Sequence, residues 1–460
     1  MKYILFIILS ILWSVEPRIN VPRNLKEEDP PTPPGPSPGP GPGPGGDDNT
    51  YDYSNYKANS INEDLDNQEL ISNTQDQSVA YINKTGINFK DTTLIKESGD
   101  SSNIENSEFY GVNAALLVQG GEVTIKGGKV QTKAKGANAI CVTNKGKVTI
   151  SGTKIVSTSE SSGRGLHATY GGQIDATNVE ISSVGASCAN LATDRGEGVV
   201  SCTECNLSTA GAGSPLIYST GTITVEQTTG TSTGAQMVVV EGKNTATVTD
   251  SELKCNGTGN RKEIDKCGVM IYQSMSGDAA DGTGTYNCKN SKMEILEDSS
   301  VYKTAPMFFV TNTKAVINLD NCSLKYGSEI FLDIKGTTEW GTSGSNGGEV
   351  TLNLNNQEVF GDIQVDGISS LSIIMINSSI KGKINTGKTA YKLSINLDAK
   401  SKITLTGNSY YTSLTNAESS GSNIIKGGYV FEQYGGGDGD TSSHGSLIKF
   451  SLLIILLILL

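Results

Sequence analysis

Along most of this chain, apolar residues occupy alternate positions in short runs, and the runs return at a nearly constant spacing. VTIKGGKV at residues 123–130 comes back as VTISGTKI and as IDATNVEI, each time apolar at the first, third and eighth places. Aligned on the first and third places, the copies give the pairs Val123/Ile125, Val148/Ile150, Ile174/Ala176, Val200/Cys202, Ile223/Val225, Ala246/Val248, Tyr286/Cys288, Ile317/Leu319, Val350/Leu352, Leu371/Ile373 and Leu393/Ile395. The first six begin at residues 123, 148, 174, 200, 223 and 246, at intervals of 25, 26, 26, 23 and 23. A period in the twenties marks a solenoid. A second apolar run precedes each copy, as at 139–142, 165–168, 215–218 and 237–240. Period-two alternation punctuated by Gly, Asn and Ser predicts strands and fits leucine-rich or helical repeats poorly. The expected fold is all-β: a single-stranded right-handed parallel β-helix with about one coil per repeat, stacked near 4.8 Å.

The fifth place of the motif reads Gly127, Gly152, Asn178, Glu204, Gln227, Asp250, Asn290 and Asn321. These residues tolerate a tight turn or bond their own backbone, so the stack predicts a polar ladder along one corner, which is scaffold. Longer intervals, 40 residues between 246 and 286 and 33 between 317 and 350, locate insertions. They are NGTGNRKEIDK between Cys255 and Cys267, SMSGDAADGTG at 274–284 and TTEWGTSGSNGG at 337–348. A disulfide between Cys255 and Cys267 is expected to close the first. Cys202 and Cys205, an inward strand position and the turn after it, are expected to form another, since no second CxxC supplies a zinc site.

The ends carry different signals. Lys2, the apolar run at 4–13, then Ser14 and Val15 have the order of a secretory signal peptide, residues 1–15. The acidic segment and PPTPPGPSPGPGPGPGG that follow predict a disordered arm over 16–80. The β-helix is expected over 81–430, a spacer over 431–446, and a hydrophobic tail over 447–460. Small residues, a polar spacer and a short apolar end match a glycosylphosphatidylinositol signal with its site near Gly436, Gly437 and Asp438, the tail being removed. Fourteen tail residues fall short of the about 20 a spanning helix needs. Eight cysteines lie between the two signals, an even number suited to an oxidising compartment. Asn83, Asn206, Asn256, Asn321 and Asn377 head N-glycosylation sequons. The net charge of −12, without a basic patch, argues against nucleic acid as a partner.

The ordered phrases HATYGG (167–172), ATDRGEG (192–198), IYSTG (217–221), VVVEGKN (238–244), GVMIYQSMSGDA (268–279), FVTNT (309–313) and WGTSGSNGG (340–348) cover roughly residues 80–415. The series resembles the right-handed β-helix proteins of the pectate-lyase-like superfamily, particularly large bacterial surface proteins of that shape. The resemblance implies the fold and an association with adhesion or carbohydrate. The sequons and the lipid-anchor signal depart from the bacterial pattern and point to a microbial eukaryote.

These phrases fall between the two strands of a coil. Tyr170, Asp194, Arg195, Glu197, Glu241, Lys243, Asn244, Gln273 and Asn312 are therefore expected along one edge of the stack, with Trp340 in the last phrase. Carboxylates, cations and amides beside aromatics suit an extended saccharide; the competing reading is a solvated turn ladder with internal ion pairs. A lyase needs carboxylates on adjacent coils to hold calcium and an Arg or Lys as base. Asp194/Glu197 with Arg195, or Glu241 with Lys243, are the only candidates, and no aspartate cluster accompanies them. Asp278 and Asp281 read as a polar loop rather than a metal site. His167 stands without partners, and His444 lies in the spacer. The sequence thus predicts a non-enzymatic surface protein without cofactor or metal. Its partners are glycans or extracellular surfaces, with the membrane reached through a lipid anchor. A coat antigen and a polysaccharide lyase or hydrolase are the alternatives.

Overall fold

The computed structural model describes residues 50–56, 58–259 and 265–435. The signal peptide, most of the arm, the anchor residues Gly436, Gly437 and Asp438, and the hydrophobic tail lie outside them.

Each coil contributes one strand to each of three parallel sheets, as Ile140–Thr143, Lys147–Ser151 and Lys154–Ser157 do before Leu166–Ala168 starts the next coil. Sheet A has 12 strands, from Ala58–Ser60 to Asp362–Val365, and sheet B has 14, from Leu65–Asp66 to Ser413–Asn416. Sheet C has 10, from Glu69–Ser72 to Ser323–Lys325, and a four-stranded sheet from Glu358–Phe360 to Ile424–Ile425 follows the same chain order in later coils. The chain is a parallel β-helix.

The alternation sets the core. In sheet B, Val123, Val148, Ile174, Val200, Ile223, Ala246, Tyr286 and Ile317 are successive register partners, and all are buried. Beyond this point the structure corrects the alignment. Ile317 pairs with Leu352, not Val350, and the column continues through Ile373 and Ile395. The strands Gly348–Asn355 and Ser370–Ile376 are long enough to present several inward positions, and a slip of two residues keeps every side chain on its face. Hydrophobic period alone therefore leaves the register open; the turn residue decides it.

That residue is left-handed in every coil of this column from Val123 to Ile373. Gly127, Gly152, Asn178, Glu204, Gln227, Asp250, Asn290 and Asn321 have φ between 48° and 70°, as do Asn356 and Asn377 at 48° and 47° in the realigned coils. Their backbone N–H groups reach the next coil, as Asn290 N does to Asp320 O at 2.9 Å. Their side chains form stretches of ladder: Asn321 Nδ2 donates to Asn290 Oδ1 at 3.0 Å, and Asn377 Nδ2 to Asn356 Oδ1 at 2.7 Å. Asn290→Val places a β-branched residue in this conformation and is expected to cost about 1–2 kcal/mol in urea unfolding, with Asn290→Gly milder. Equal losses would show that the side-chain ladder, not the backbone conformation, selects the residue.

One position further on, buried hydroxyls form an inner ladder: Thr228 Oγ1 accepts from Cys205 N, Ser251 Oγ from Thr228 N, and Ser291 Oγ from Ser251 N. It satisfies N–H groups that the tight corner turns away from the sheet ladder.

The solenoid begins earlier than residue 81. Strands at Ala58–Ser60, Leu65–Asp66 and Glu69–Ser72 build a first coil from polar, Asn-rich sequence. Tyr53 and Tyr56 pack on Tyr81, and Tyr51 stacks on Tyr110, so aromatic burial orders residues that composition alone assigns to a disordered arm.

Cys202 and Cys205 are disulfide-bonded. The expected Cys255–Cys267 bridge is not formed: both are buried free thiols. Cys255 packs in the interior core, whereas Cys267 packs outside sheet A with Val239, Met270, Phe309 and Trp340. Proximity in sequence around an insertion does not bring the two side chains to one side of the sheet.

Candidate functional site

The outer face of sheet A is where this β-helix departs from a plain scaffold. Tyr81, Leu117, Cys141, His167, Ala192, Tyr218, Val239, Met270, Phe309 and Asp333 are register partners pointing outward, and most are buried. Something must cover them. At the N-terminal end it is the tyrosine cluster packed on Tyr81 and Leu117. The helix Ile104–Tyr110 adds to that end; Asn103 caps it, accepting from Glu105 N and Asn106 N, and Gly111 closes it in a left-handed conformation. At the C-terminal end the cover is Cys267 and Trp340, delivered by two of the insertions.

A cleft of ≈ 320 Å³ opens on this face. Glu108 and Arg164 line it from the N-terminal coils, and Tyr218, Gln236, Asp265, Tyr272 and Trp340 from the later ones. The Tyr272 and Trp340 rings lie 4.9 Å apart at a tilt of 60°. Beside them, Glu241 Oε2 accepts from Tyr218 Oη at 2.6 Å and Tyr272 Oη at 2.7 Å. Burial, then the Glu241 carboxylate, pushes the Tyr218 phenol well above its ordinary range, so it stays a donor.

Arg164 is the central charge. It is 8% exposed, and its Nη2 lies 3.4 Å from Glu108 Oε1 and 3.3 Å from Asp194 Oδ2. Its Nη1 has no hydrogen-bond partner among the described residues. Asp194, 3% exposed, is pushed up to about 7 by burial, against the pull of Arg164 and with the help of Asp278 and Glu108. One guanidinium shared between two carboxylates does not offset the loss of water around Asp194.

The predicted strip divides into three groups. Asp194, Glu241 and Trp340 belong to the cleft and its supporting shell. Arg195 is held next to them: its Nε donates to Asp278 Oδ1 at 2.8 Å, and its guanidinium lies 3.7 Å from the centre of the Phe109 ring. Asn244, Gln273 and Asn312 brace loops by donating to the carbonyls of Glu241, Ala279 and Gln273. Tyr170 and Glu197 border a separate cleft of ≈ 300 Å³ with Lys145 and Gln173. Tyr170 there stacks on Tyr110 at 5.7 Å, and Glu197 pairs with Lys243 at 2.7 Å. The strip is thus not an exposed edge: Asp194, Glu241, Asn244, Gln273 and Trp340 are buried by the covering loops. Asp278, considered above as a polar loop residue, is the partner of Arg195.

The sequence reading missed Arg164, Glu108, Tyr218 and Tyr272. The two tyrosines close short apolar runs, and the signal for them is their place one residue after the inward Ile217 and Ile271, which turns them outward.

Cys141, His167 and Asp194 stand on successive coils, with Sγ to Nδ1 and Nε2 to Oδ2 both 4.0 Å. They do not form a nucleophile with its base. Cys141 is fully buried and its thiol is pushed up to about 12 by burial, while burial and Arg164 keep His167 neutral.

Among the sequons, Asn83 and Asn206 are exposed, and Asn256 is half-buried with its amide donating to Thr233 O. Asn321 and Asn377 are exposed members of the corner ladder. No group of three or more metal-ligating side chains occurs among the described residues. No family model matches the sequence, and neither a curated protein nor a solved structure is found similar to it.

Proposed function

We propose that this chain is a secreted, glycosylated and lipid-anchored surface protein that binds saccharide in the cleft on sheet A. The observation that carries the reading is the lining: the Tyr272 and Trp340 rings beside Arg164, whose buried Nη1 has no hydrogen-bond partner among the described residues. Aromatic faces suit the C–H surface of a sugar ring, and a buried donor held in place by two carboxylates suits its hydroxyls or an acidic substituent. The resemblance to β-helix adhesins and the sequence signals at both ends point the same way.

The reading is of binding without turnover. Asp194 is the carboxyl poised near neutral pH, but it lies against Arg164 and is 3% exposed, so it supports the guanidinium rather than facing a ligand.

Trp340 and Trp13 are the only tryptophans, so removal of the signal peptide leaves Trp340 as the one tryptophan, excited selectively over the tyrosines at the red edge of the absorption. A glycan array should identify ligands, and their titration should shift Trp340 fluorescence. Trp340→Ala is expected to weaken binding about tenfold or more, the loss typical of truncating a buried aromatic anchor. An array without hits removes the saccharide reading, and release of shortened or unsaturated sugars removes its non-catalytic part.

A further inference from the structure

We propose that Cys288 and Cys322 form a second disulfide, an inter-coil staple at the same corner as Cys202–Cys205. Register carries the argument. Cys202 pairs across sheet B with Val225, Val225 with Val248, and Val248 with Cys288, so Cys202 and Cys288 share one inward column. Cys205 follows the left-handed turn residue Glu204, and Cys322 follows its counterpart Asn321, so these two share the next column around the corner. The corner therefore sets the two columns face to face, and in one coil they are already bridged, with Cα atoms 6.1 Å apart. Cys288 pairs with Leu319, three residues before Cys322, which places Cys322 one coil along in the position Cys205 holds for Cys202.

The side chains agree with the register. Cys288 Sγ and Cys322 Sγ are 2.7 Å apart, inside the about 3.5–4.0 Å at which even non-bonded carbons rest. Both are buried, and Met293 Sδ lies 3.6 Å from Cys288 Sγ, so neither sulfur has room to withdraw without opening the core. A covalent bond relieves the contact. The staple ties the coil that carries Tyr272 to its successor and closes 34 residues that include one strand from each sheet.

The chemistry is a thiol–disulfide exchange. Two cysteine thiols and one small disulfide, such as oxidised glutathione, give the protein disulfide and two small thiols; the small disulfide takes the two electrons and the two protons. Exchange must occur while the coils assemble, because both sulfurs are buried afterwards. The supply of oxidant rests on the reading of the chain as secreted.

To separate the two, the full chain is expressed behind a secretion signal of the host, which supplies oxidant whatever the native address, and in parallel with its own N-terminus. Alkylation in denaturant without reduction should label Cys141, Cys188, Cys255 and Cys267 and spare Cys288 and Cys322. After removal of any glycan at Asn321, tryptic peptides 267–289 and 315–325 should run as one species two hydrogens lighter than their sum, with fragmentation assigning the link to Cys288. Cys288→Ser should expose Cys322 to alkylation. Labelling of unreduced Cys288 and Cys322 in the protein forced through secretion overturns the staple. Full labelling confined to the protein with its native N-terminus overturns secretion and leaves the staple standing.

Discussion

Arg164→Met is expected to destabilise the fold by about 3–5 kcal/mol at pH 8, the usual cost of removing one partner from a buried ion pair. The substitution removes the guanidinium that lies 3.3 Å from Asp194 and 3.4 Å from Glu108, and Asp194 is nearly inaccessible. The penalty should shrink at pH 5. The folded-state value of Asp194 is raised from 3.8 to about 7, so between those values the folded chain holds a proton that the unfolded chain has released. Stability contributed by this group is therefore greatest below the window and declines as pH rises through it. Loss of Arg164 pushes the carboxyl higher still, so at pH 5 it is neutral in the variant and no buried charge remains there to be stranded. Urea unfolding at both pH values measures this, and the double variant with Asp194→Asn should recover part of the pH 8 loss. Equal penalties at pH 5 and pH 8 would mean that Arg164 acts through packing alone.

Phe308→Ala is expected to cost about 3–5 kcal/mol, through lost transfer energy and the cavity left behind. Phe308 is 0% exposed, and its ring lies 5.9 Å from Tyr286 and 5.4 Å from Phe331, forming an aromatic column through consecutive coils. A solenoid coil contacts only its neighbours, so the gap cannot be filled from elsewhere. Adding Phe331→Ala should cost less than the sum of the single losses, because both deletions share one cavity. Phe360→Ala is the control: that ring is 60% exposed, and its removal should change stability by no more than about 0.5 kcal/mol. Comparable losses at residues 308 and 360 would contradict the packing account.

The scaffold was legible because its code is local. Period-two alternation assigns Val148 and Ile150 to the interior whatever the neighbouring coil contains, and a left-handed corner accepts Gly, Asn or Asp for reasons internal to one residue. Local rules also leave the register of the late coils open. Val350, Leu352 and Leu354 all face inward, so alternation was satisfied by a register two residues out, although Asn356 at the corner marked the correct one. The first coil was missed because Tyr53 and Tyr56 are ordered by Tyr81, which is distant in sequence.

The cleft follows a different logic. The phrases between strands place Asp194, Arg195, Glu241 and Trp340 along one edge of the stack, but the sequence pattern does not give their relation. Arg164 acquires its role from Glu108 on a helix two strands earlier in sheet A and from Asp194 on the coil beyond, and Tyr218 from Glu241 on the next strand. Alternation says which residues point outward from sheet A; it does not say which of them an insertion will cover. Burial is what makes Glu241 and Tyr218 a buried hydrogen-bonded pair, and burial, helped by Asp278 of the 274–284 insertion and Glu108 of the helix, is what lifts Asp194 toward neutrality.

By itself, then, the sequence determined the repeat, the inward columns and the corner ladder, since each depends on a residue and its immediate chain neighbours. Tertiary structure decided the register of the late coils, the state of Cys255 and Cys267, and the cleft. Those depend on which side chains meet across coils and on which outward faces lose their water, and neither is written in a 23–26 residue period.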